Sequence, residues 1–154
     1  MKPKKLPRPE SDADKELISV VKKQGWGVID VSDAPIPFAF TVGLGYSFNH
    51  PELLVSGMDI RTSAYVLNVY SDKISKGLVI EDGLIDEEST GGKFYFSDIA
   101  WRELPGYFGT AIWFYGDVKF KAIQCYWADK AGHFPFERRC RSSVKKMQLN
   151  LGEC

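Results

Sequence analysis

The chain has 154 residues, with 20 basic and 20 acidic side chains and a formal net charge of zero. This length fits one domain with its own apolar core, and a hydrophobic content of 44% excludes intrinsic disorder for the body of the chain. The balanced charge gives no support for a nucleic-acid or membrane partner, because such partners are held mainly by an excess of Lys and Arg.

The sequence predicts neither export nor a membrane span. The first residues, MKPKKLPRPESDADKE, are charged and contain no apolar segment typical of a secretory signal. The longest apolar run, TAIWFY, is much shorter than the roughly 20 residues that cross a bilayer. Cys125, Cys140 and Cys154 are an odd set without Cys-x-x-Cys spacing, which is typical of reduced thiols. We therefore expect a cytoplasmic protein.

The amino-terminal part predicts a helix after a flexible start. Residues 1–10 contain three prolines among basic side chains, so a flexible lead-in is expected there. Ser11 begins a sequence that resembles a helix cap, and an apolar stripe then predicts a helix at about 12–24. Alternating apolar residues predict strands at 26–31 and 38–44, which a proline-rich loop joins.

The middle of the chain predicts one short strand and a second helix. Residues 46–52 are polar and contain a proline, so a loop is expected there. The segment 53–58 has the character of a buried strand, and Asp59 is placed to cap a helix that begins after it. An apolar stripe predicts this helix at about 60–75, with Gly77 as a stop signal.

The carboxyl-terminal half predicts further strands and two charged segments. Strands are expected at 78–80, 93–99 and 118–129, whereas 101–115 is ambiguous between helix and loop. Five acidic residues lie between Glu81 and Glu88, and residues 138–146 carry five basic residues and no acidic one. We expect the basic stretch to be solvated.

This order of elements predicts an α+β fold, because helices and strands do not alternate as in a βαβ protein. We expect a single globular domain over residues 11–140, with a mixed or mainly antiparallel sheet and two helices packed on it. The alternative is a split β-barrel. Residues 141–154 are then a basic carboxyl-terminal tail.

The segment FTVGLGYSFNHPEL is denser in functional residue types than a core requires. Its candidate ligand-binding residues are Thr41, Tyr46, Asn49, His50 and Glu52. His50 beside Glu52 has the composition of a general base with an orienting carboxylate. The structural alternative is a capped turn at 49–51 whose side chains bind local backbone groups.

A second candidate segment is CYWADKAGHFPFERRC, at the end of the last predicted strand. Its candidate ligand-binding residues are Trp127, Asp129, His133 and Arg138. Polar groups beside aromatic rings at a strand end are typical of a ligand rim. In the structural alternative, Asp129 belongs to a turn and the aromatic residues fill the core. Cys140 lies among arginines, which leaves open a reactive thiol or an inert one.

The aromatic residues are concentrated in one region, since 14 of the 21 lie between Phe94 and Phe136. Such a concentration indicates either core packing or a pocket that stacks a planar ligand such as a flavin or a nucleobase. Only two histidines are present, so we predict no metal site. No cofactor or catalytic residue is assigned, and the sequence does not decide whether the protein is an enzyme.

Five blocks of the sequence resemble, in order, the bacterial domain of unknown function 4262 family over roughly residues 18–140. The blocks are GWGVIDV, PFAFTVGLGYSFNHPELLVSGMD, LNVYSDKISKG with EDG further on, YFGTAIWFY and IQCYWADKAGHFPFERRC. The most specific are TVGL with HPEL and the closing W-x-D-x-x-G-x-F-P-F-E-x-x-C. The resemblance implies motif positions at Thr41, Gly43, His50, Pro51, Glu52, Trp127, Asp129, Phe134, Pro135 and Cys140.

The chain departs from this family at several positions. The closing block usually carries a basic residue and a tryptophan where this sequence has His133 and Phe136, and the common amino-terminal cysteine pair is missing. The resemblance implies one domain and the same two segments, but no activity. The early strands and HPELLV also look like the beginning of flavin-reductase split barrels, which is an analogy of fold alone.

Three functions agree with these observations. The first is a bacterial or phage-borne binding module that recognises a small planar ligand or a protein partner, through a pocket between residues 41–52 and 127–140. The second is a flavin-dependent oxidoreductase of split-barrel type. The third is an immunity or anti-defence protein that acts through contacts of the acidic loop or the basic tail.

Overall fold

The computed structural model describes residues 6–152, which form helices on both faces of one sheet. The elements are α1 (Asp12–Gln24), β1 (Gly27–Val31), β2 (Phe38–Val42), α2 (Leu44–Phe48), β3 (Glu52–Ser56), α3 (Ile60–Ser75), β4 (Ile85–Asp86), β5 (Phe94–Asp98), α4 (Leu104–Tyr107), α5 (Gly109–Tyr115), β6 (Ala122–Trp127) and α6 (Ser142–Met147). A turn of 3₁₀ helix, Trp101–Glu103, precedes α4.

The sheet is mixed and has six strands in the order β1-β2-β3-β6-β5-β4. Only β3 and β6 pair in parallel, and the other neighbours are antiparallel. The predicted α+β fold with one mixed sheet is therefore confirmed. The split-barrel alternative is wrong, because β1 and β4 are the two edges of an open sheet.

Two apolar clusters cover the two faces of the sheet. On one face, Leu67 and Tyr70 of α3 pack against Leu53 and Ile123 of the central strands. On the other face, α1 and α5 pack against β2, with Phe40 at the centre of that cluster. The core is continuous across the sheet, since the central strands β2, β3 and β6 are buried almost throughout.

The two long helices begin and end where their caps predict. The Ser11 side chain accepts a hydrogen bond from the Asp14 N–H at 3.1 Å, and α1 ends at Gly25, whose φ of 108° favours glycine. The Asp59 carboxylate accepts from the Thr62 N–H at 2.8 Å at the start of α3. The predicted helices at 12–24 and 60–75 are confirmed.

Three local predictions are wrong. Residues 78–80 form no strand, because the Ile80 N–H donates to the His50 ring instead of to a neighbouring strand. The polar segment at 46–52 is not simply a loop, because α2 begins at Leu44 and extends into it. The last long strand is shorter than predicted, since only Ala122–Trp127 pairs in the sheet.

The carboxyl-terminal segment packs on the sheet as far as it is described. The buried Gln124 side chain donates to the Leu149 carbonyl at 2.7 Å and accepts from the Leu151 N–H at 2.9 Å. Leu151 joins the apolar cluster under α5, as does the partly buried Leu6 near the other end. The rest of the predicted lead-in and tail, residues 1–5 and 153–154, lies outside the described residues.

Within residues 6–152, no helix combines the length and the apolar character that a bilayer span requires.

Replacing Gln124 tests this attachment of the chain end. The Gln124→Met change keeps the side-chain volume but leaves two buried backbone groups of residues 149 and 151 without partners. We expect the free energy of unfolding in urea to fall by about 3 kcal/mol. The matched change Gln24→Met, at the exposed end of α1, removes a single bond to the Trp26 carbonyl, which water can replace, and should cost less than Gln124→Met, about 1 kcal/mol. Equal stabilities of the two variants would contradict the role of Gln124.

Candidate functional site

The two candidate segments lie at opposite ends of neighbouring strands. Strands β3 and β6 run in parallel, with Glu52 beside Ala122. Trp127 lies five residues further along β6, which corresponds to about 16 Å. The predicted pocket between residues 41–52 and 127–140 is therefore wrong, and the two segments are separate in space.

The first segment is organised around the buried carboxylate of Glu52. Its Oε1 accepts hydrogen bonds from the Thr41 hydroxyl at 2.8 Å and the Leu44 N–H at 3.2 Å. Its Oε2 accepts from the Gly43 N–H at 3.0 Å, the Gly45 N–H at 3.4 Å and the Tyr115 hydroxyl. Both oxygens thus face donors only, which is the arrangement that an ionised carboxylate requires.

Two glycines allow the backbone to approach this carboxylate closely. Gly43 has a φ of 117°, and a Cβ there would lie 2.7 Å from the Gly25 carbonyl oxygen. A Cβ on Gly45 would lie 2.8 Å from the Tyr115 hydroxyl oxygen. The glycines of VGLG therefore allow a buried anion to be bound, since the N–H groups of Gly43, Leu44 and Gly45 donate to Glu52. The next N–H group, of Tyr46, donates to the Tyr115 hydroxyl at 3.3 Å.

Burial and hydrogen bonding act on Glu52 in opposite directions. Burial raises the pKa of Glu52 above its ordinary value, although the bonds from Tyr115, Thr41 and the backbone N–H groups act to lower it. Burial and the neighbouring Glu52 raise the pKa of Tyr115 well above its usual range. Tyr115 therefore stays a neutral donor to the Glu52 carboxylate at physiological pH.

His50 is part of a turn and is not the partner of Glu52. Its Nδ1 lies 2.8 Å from the Pro51 carbonyl, and its Nε2 accepts from the Ile80 N–H at 2.9 Å. This pairing requires the neutral ring with the proton on Nδ1. Within residues 6–152, no hydrogen bond joins His50 to Glu52, so the geometry favours the structural alternative over the general base.

The remaining candidates of the first segment are structural or surface residues. The Thr41 hydroxyl also accepts from the Leu53 N–H at 2.9 Å. The half-buried ring of Tyr46 contacts Phe114 edge to face, at 6.0 Å between centroids. Asn49 is exposed and ends α2 with a φ of 55°. This segment is a closed polar centre, with its acid in the interior of the fold.

The second segment is a loop that Asp129 holds in shape. The Asp129 carboxylate accepts from the N–H groups of Ala131, His133 and Arg141 at 2.9–3.0 Å. These bonds lower the pKa of Asp129, with the His133 N–H as the largest cause. The carboxylate closes a loop of twelve residues onto itself, so the side chains between Asp129 and Arg141 have a defined position.

The other candidates of this loop differ in their exposure. The Trp127 indole N–H donates to the Ser56 carbonyl at 2.7 Å, which ties β6 to the end of β3. The partly exposed His133 ring lies 3.7 Å from the Asp129 carboxylate. Burial raises the pKa of the Cys140 thiol, which disfavours the reactive thiolate. Arg138 is exposed, and within residues 6–152 its side chain forms no ion pair.

The loop places aromatic rings against the sheet beside it. Phe134 is buried, whereas Phe136 stacks on it with centroids 5.6 Å apart and is 54% exposed. The Phe136 ring also contacts Tyr95 of β5 at 4.9 Å and Tyr126 of β6 at 5.6 Å. These rings pack on one another. The aromatic concentration between Phe94 and Phe136 is therefore mainly core packing, with two exposed members, Phe136 and the 76% exposed Trp101.

Several residues that organise both segments carry no recognisable sequence signal. Tyr115 is 63 residues from Glu52 in the chain, and Gln148 is 21 residues from Trp127. The Gln148 side chain accepts from the Trp127 N–H and donates to the Trp127 carbonyl. Spacing in the chain does not indicate such pairs. Within residues 6–152, no group of three or more His, Cys, Asp or Glu side chains is arranged to hold a metal ion.

The comparisons with known proteins identify one family. The family model described as "Domain of unknown function (DUF4262)" matches residues 20–141. No curated protein and no solved structure matches the chain.

Replacing the central carboxylate tests its role in the fold. In Glu52→Gln, the new amide N–H groups would face backbone donors that the carboxylate now satisfies. We expect the free energy of unfolding to fall by about 3 kcal/mol or more, measured by urea denaturation. Glu16→Gln, on the exposed side of α1, is the control and should change stability by about 0.5 kcal/mol or less.

The His50 turn predicts a pH dependence of stability. Burial lowers the pKa of His50 below its ordinary value of 6.5, so the unfolded chain binds this proton more readily than the folded one. The stabilisation is complete above pH 6.5 and is lost as the pH falls through 6.5 towards the lowered pKa. In urea denaturation, the free energy of unfolding should therefore fall between pH 7.5 and pH 5. The His50→Gln change should make this fall smaller, whereas the His133→Gln change should leave it as it is in the wild type. An unchanged slope in His50→Gln would contradict this prediction.

Proposed function

The chain belongs to the domain of unknown function 4262 family, and we propose that its domain is a protein-binding module. The recognition surface is an apolar strip formed by Ile85, Tyr95 and Phe136. It separates the basic loop, residues 129–141, from the acidic hairpin, residues 81–88. The observation that carries the proposal is this continuous exposed strip between charges of opposite sign.

The strip is continuous across β4, β5 and the loop that follows β6. Ile85 of β4 lies directly opposite Tyr95 of β5, so both side chains point to the same face. The Tyr95 ring in turn contacts Phe136. Ile85 is 50% exposed and Phe136 is 54% exposed, which gives the strip two large apolar side chains in contact with solvent. Exposed apolar surface with a polar border is typical of protein interaction sites.

Charged side chains of opposite sign border the two ends of the strip. Beyond Phe136 the exposed Arg138 and Arg139 follow, and within residues 6–152 neither forms an ion pair. Around Ile85 in the chain lie four exposed acidic residues: Glu81, Asp82, Glu87 and Glu88. The Asp86 carboxylate is used within the fold, where it accepts from the Tyr70 hydroxyl at 2.7 Å. A complementary partner therefore presents an acidic group to the loop and an apolar group to the strip.

This mixed charge favours a protein over a nucleic acid. A nucleic acid carries a uniform line of negative phosphates, which the neighbouring carboxylates would repel. A protein segment can place acidic and basic groups at different positions along the same surface. The rings of the strip pack on each other, which supports a contact surface over a pocket for a planar ligand.

The loop is also held in position before any partner binds. Three backbone N–H groups donate to Asp129, and the Lys93 ammonium donates to the Gly132 carbonyl at 2.9 Å. Such preorganisation reduces the entropy that binding would otherwise cost. An immunity or anti-defence protein would act through a surface contact of this kind, and that biological role stays a prediction. The flavin alternative depended on a split barrel, and the open sheet removes that support.

Fluorescence anisotropy with three labelled probes tests the proposal. The probes are a peptide of alternating glutamate and leucine, the matching peptide of glutamate and serine, and single-stranded oligothymidine. We expect the glutamate-leucine peptide to bind most tightly. Phe136→Ser should weaken that binding roughly tenfold, and Arg138→Ala combined with Arg139→Ala should weaken it similarly and reduce its salt dependence.

The control is Lys22→Ala combined with Lys23→Ala, an exposed basic pair on α1, which should leave binding unchanged. Thermal unfolding of every variant verifies that the fold is retained. Tighter binding of oligothymidine would overturn the proposal in favour of a polyanion site. Failure of the glutamate-leucine peptide to bind, or equal binding by wild type and Phe136→Ser, would overturn the proposed strip.

A further inference from the structure

A second surface lies at the opposite edge of the sheet, along β1. This strand pairs on one side only, with β2, in an unbroken register from Gly27 opposite Val42 to Val31 opposite Phe38. Within residues 6–152, the backbone of residues 28–31 forms no hydrogen bond outside that pairing. Alternate N–H and C=O groups of β1 therefore point outward without partners.

The edge lacks several features that usually block further pairing, and Asp30 is its one charged residue. Residues 27–31 contain no proline, no lysine and no bulge, and three of the five are β-branched. The other edge differs, because β4 is only two residues long. A free edge of this length is a template for one more strand.

Two grooves extend along this edge. A groove of about 320 Å³ lies beside residues 27–29, where α1 contributes Leu17 and Val20 and α3 contributes Asn68. A groove of about 600 Å³ continues from Asp30 to the start of α3, with an apolar floor that includes Met58 and Ile60. Exposed backbone groups and apolar side-chain sites thus occur together, as strand addition requires.

The helices beside the edge favour a single strand over a second copy of the domain. A Cβ on Gly27 would lie 2.5 Å from Leu17, so α1 is packed directly over β1. The Trp26 indole N–H donates to the Asn68 side chain of α3 at 2.9 Å, so α3 lies beside β1 on the other face of the sheet. Paired strands lie about 4.8 Å apart, whereas helices need about 10 Å. A second β1 would bring its own α1 into collision with this one.

The side chains around the edge define the chemistry of the added strand. Val28 and Asp30 point to the α3 face, whereas Ile29 and Val31 point to the α1 face. Three acidic residues line the two grooves: Glu16, Asp30 and Asp59. Arg61 is the one basic residue among the lining residues. An incoming segment therefore matches the edge when its apolar residues alternate with Lys or Arg.

We propose that β1 accepts an extended segment of a partner protein, with alternating apolar and basic residues, as a seventh strand of the sheet. The backbone of the segment bonds to the outward N–H and C=O groups of β1. A Lys or Arg side chain on the α3 face contacts the Asp30 carboxylate. This surface is independent of the strip at Ile85, Tyr95 and Phe136.

Binding of a labelled peptide of alternating valine and lysine tests the proposal. The critical comparison is the same peptide with its backbone nitrogens methylated along both edges, which keeps its charge but removes its backbone hydrogen-bond donors. We expect the unmethylated peptide to bind and the methylated peptide to bind at least tenfold more weakly. Amide hydrogen exchange of the complex should show new protection confined to residues 27–31.

Asp30→Lys should weaken binding of the unmethylated peptide at least tenfold, because it places a positive charge at the edge opposite the lysines of the peptide. Asp33→Lys, which changes an exposed carboxylate just beyond β1, is the matched control and should have a small effect. Phe136→Ser should leave this binding unchanged, so failure here is distinguishable from failure of the strip.

Three results would overturn the proposal. Equal binding of the two peptides would show an ionic contact without strand addition. Protection at residues 81–88 instead of 27–31 would place the basic peptide on the acidic hairpin. Self-association of the wild-type protein in sedimentation experiments, if Asp30→Lys abolished it, would make a second copy the occupant.

Discussion

The fold depends on how one buried carboxylate is satisfied. Glu52 begins the central strand β3 and takes hydrogen bonds from β2, from the first turn of α2 and from α5. A carboxylate in an apolar interior is costly unless its acceptor sites are all occupied. The polar cluster therefore constrains the geometry of four elements together. This explains why a segment of such varied chemistry contains no open reactive group: its functional-looking side chains are used within the fold.

The single parallel pairing in the sheet has a second consequence. Because β6 runs beside β3 in the same direction, the motif that begins β3 and the motif that ends β6 lie at opposite ends of the sheet. Two segments that the family resemblance marks together are thus separate in space. The first stabilises the interior, while the loop after β6, closed by Asp129, presents Phe136 and two arginines to solvent. Similar density of functional residue types therefore has different physical meanings in the two places.

Local signals in the sequence are sufficient to predict the long elements. Caps at Ser11 and Asp59 and regular apolar stripes define α1 and α3, because those signals act within a few residues. The short helix α2 is not predictable in this way, since five residues have little intrinsic helix stability and this turn depends on Glu52, at least seven residues from the N–H groups that it binds. The strand predicted at 78–80 fails because His50, 30 residues away, binds the Ile80 N–H. The strip is not foreseeable either, since it joins Ile85 to Phe136 through strand pairing and ring contacts.

The strip and the β1 edge differ in position and in charge, and these differences bear on how a binding module would work. Five strand spacings separate β1 from β4, which corresponds to about 24 Å. One surface therefore leaves the other accessible. The loop beside the strip attracts acidic groups and the β1 edge attracts basic ones, so a given segment suits one surface and is disfavoured at the other. A chain with zero net charge can thus distinguish two kinds of partner, because its opposite charges are separated in space and only their sum is neutral.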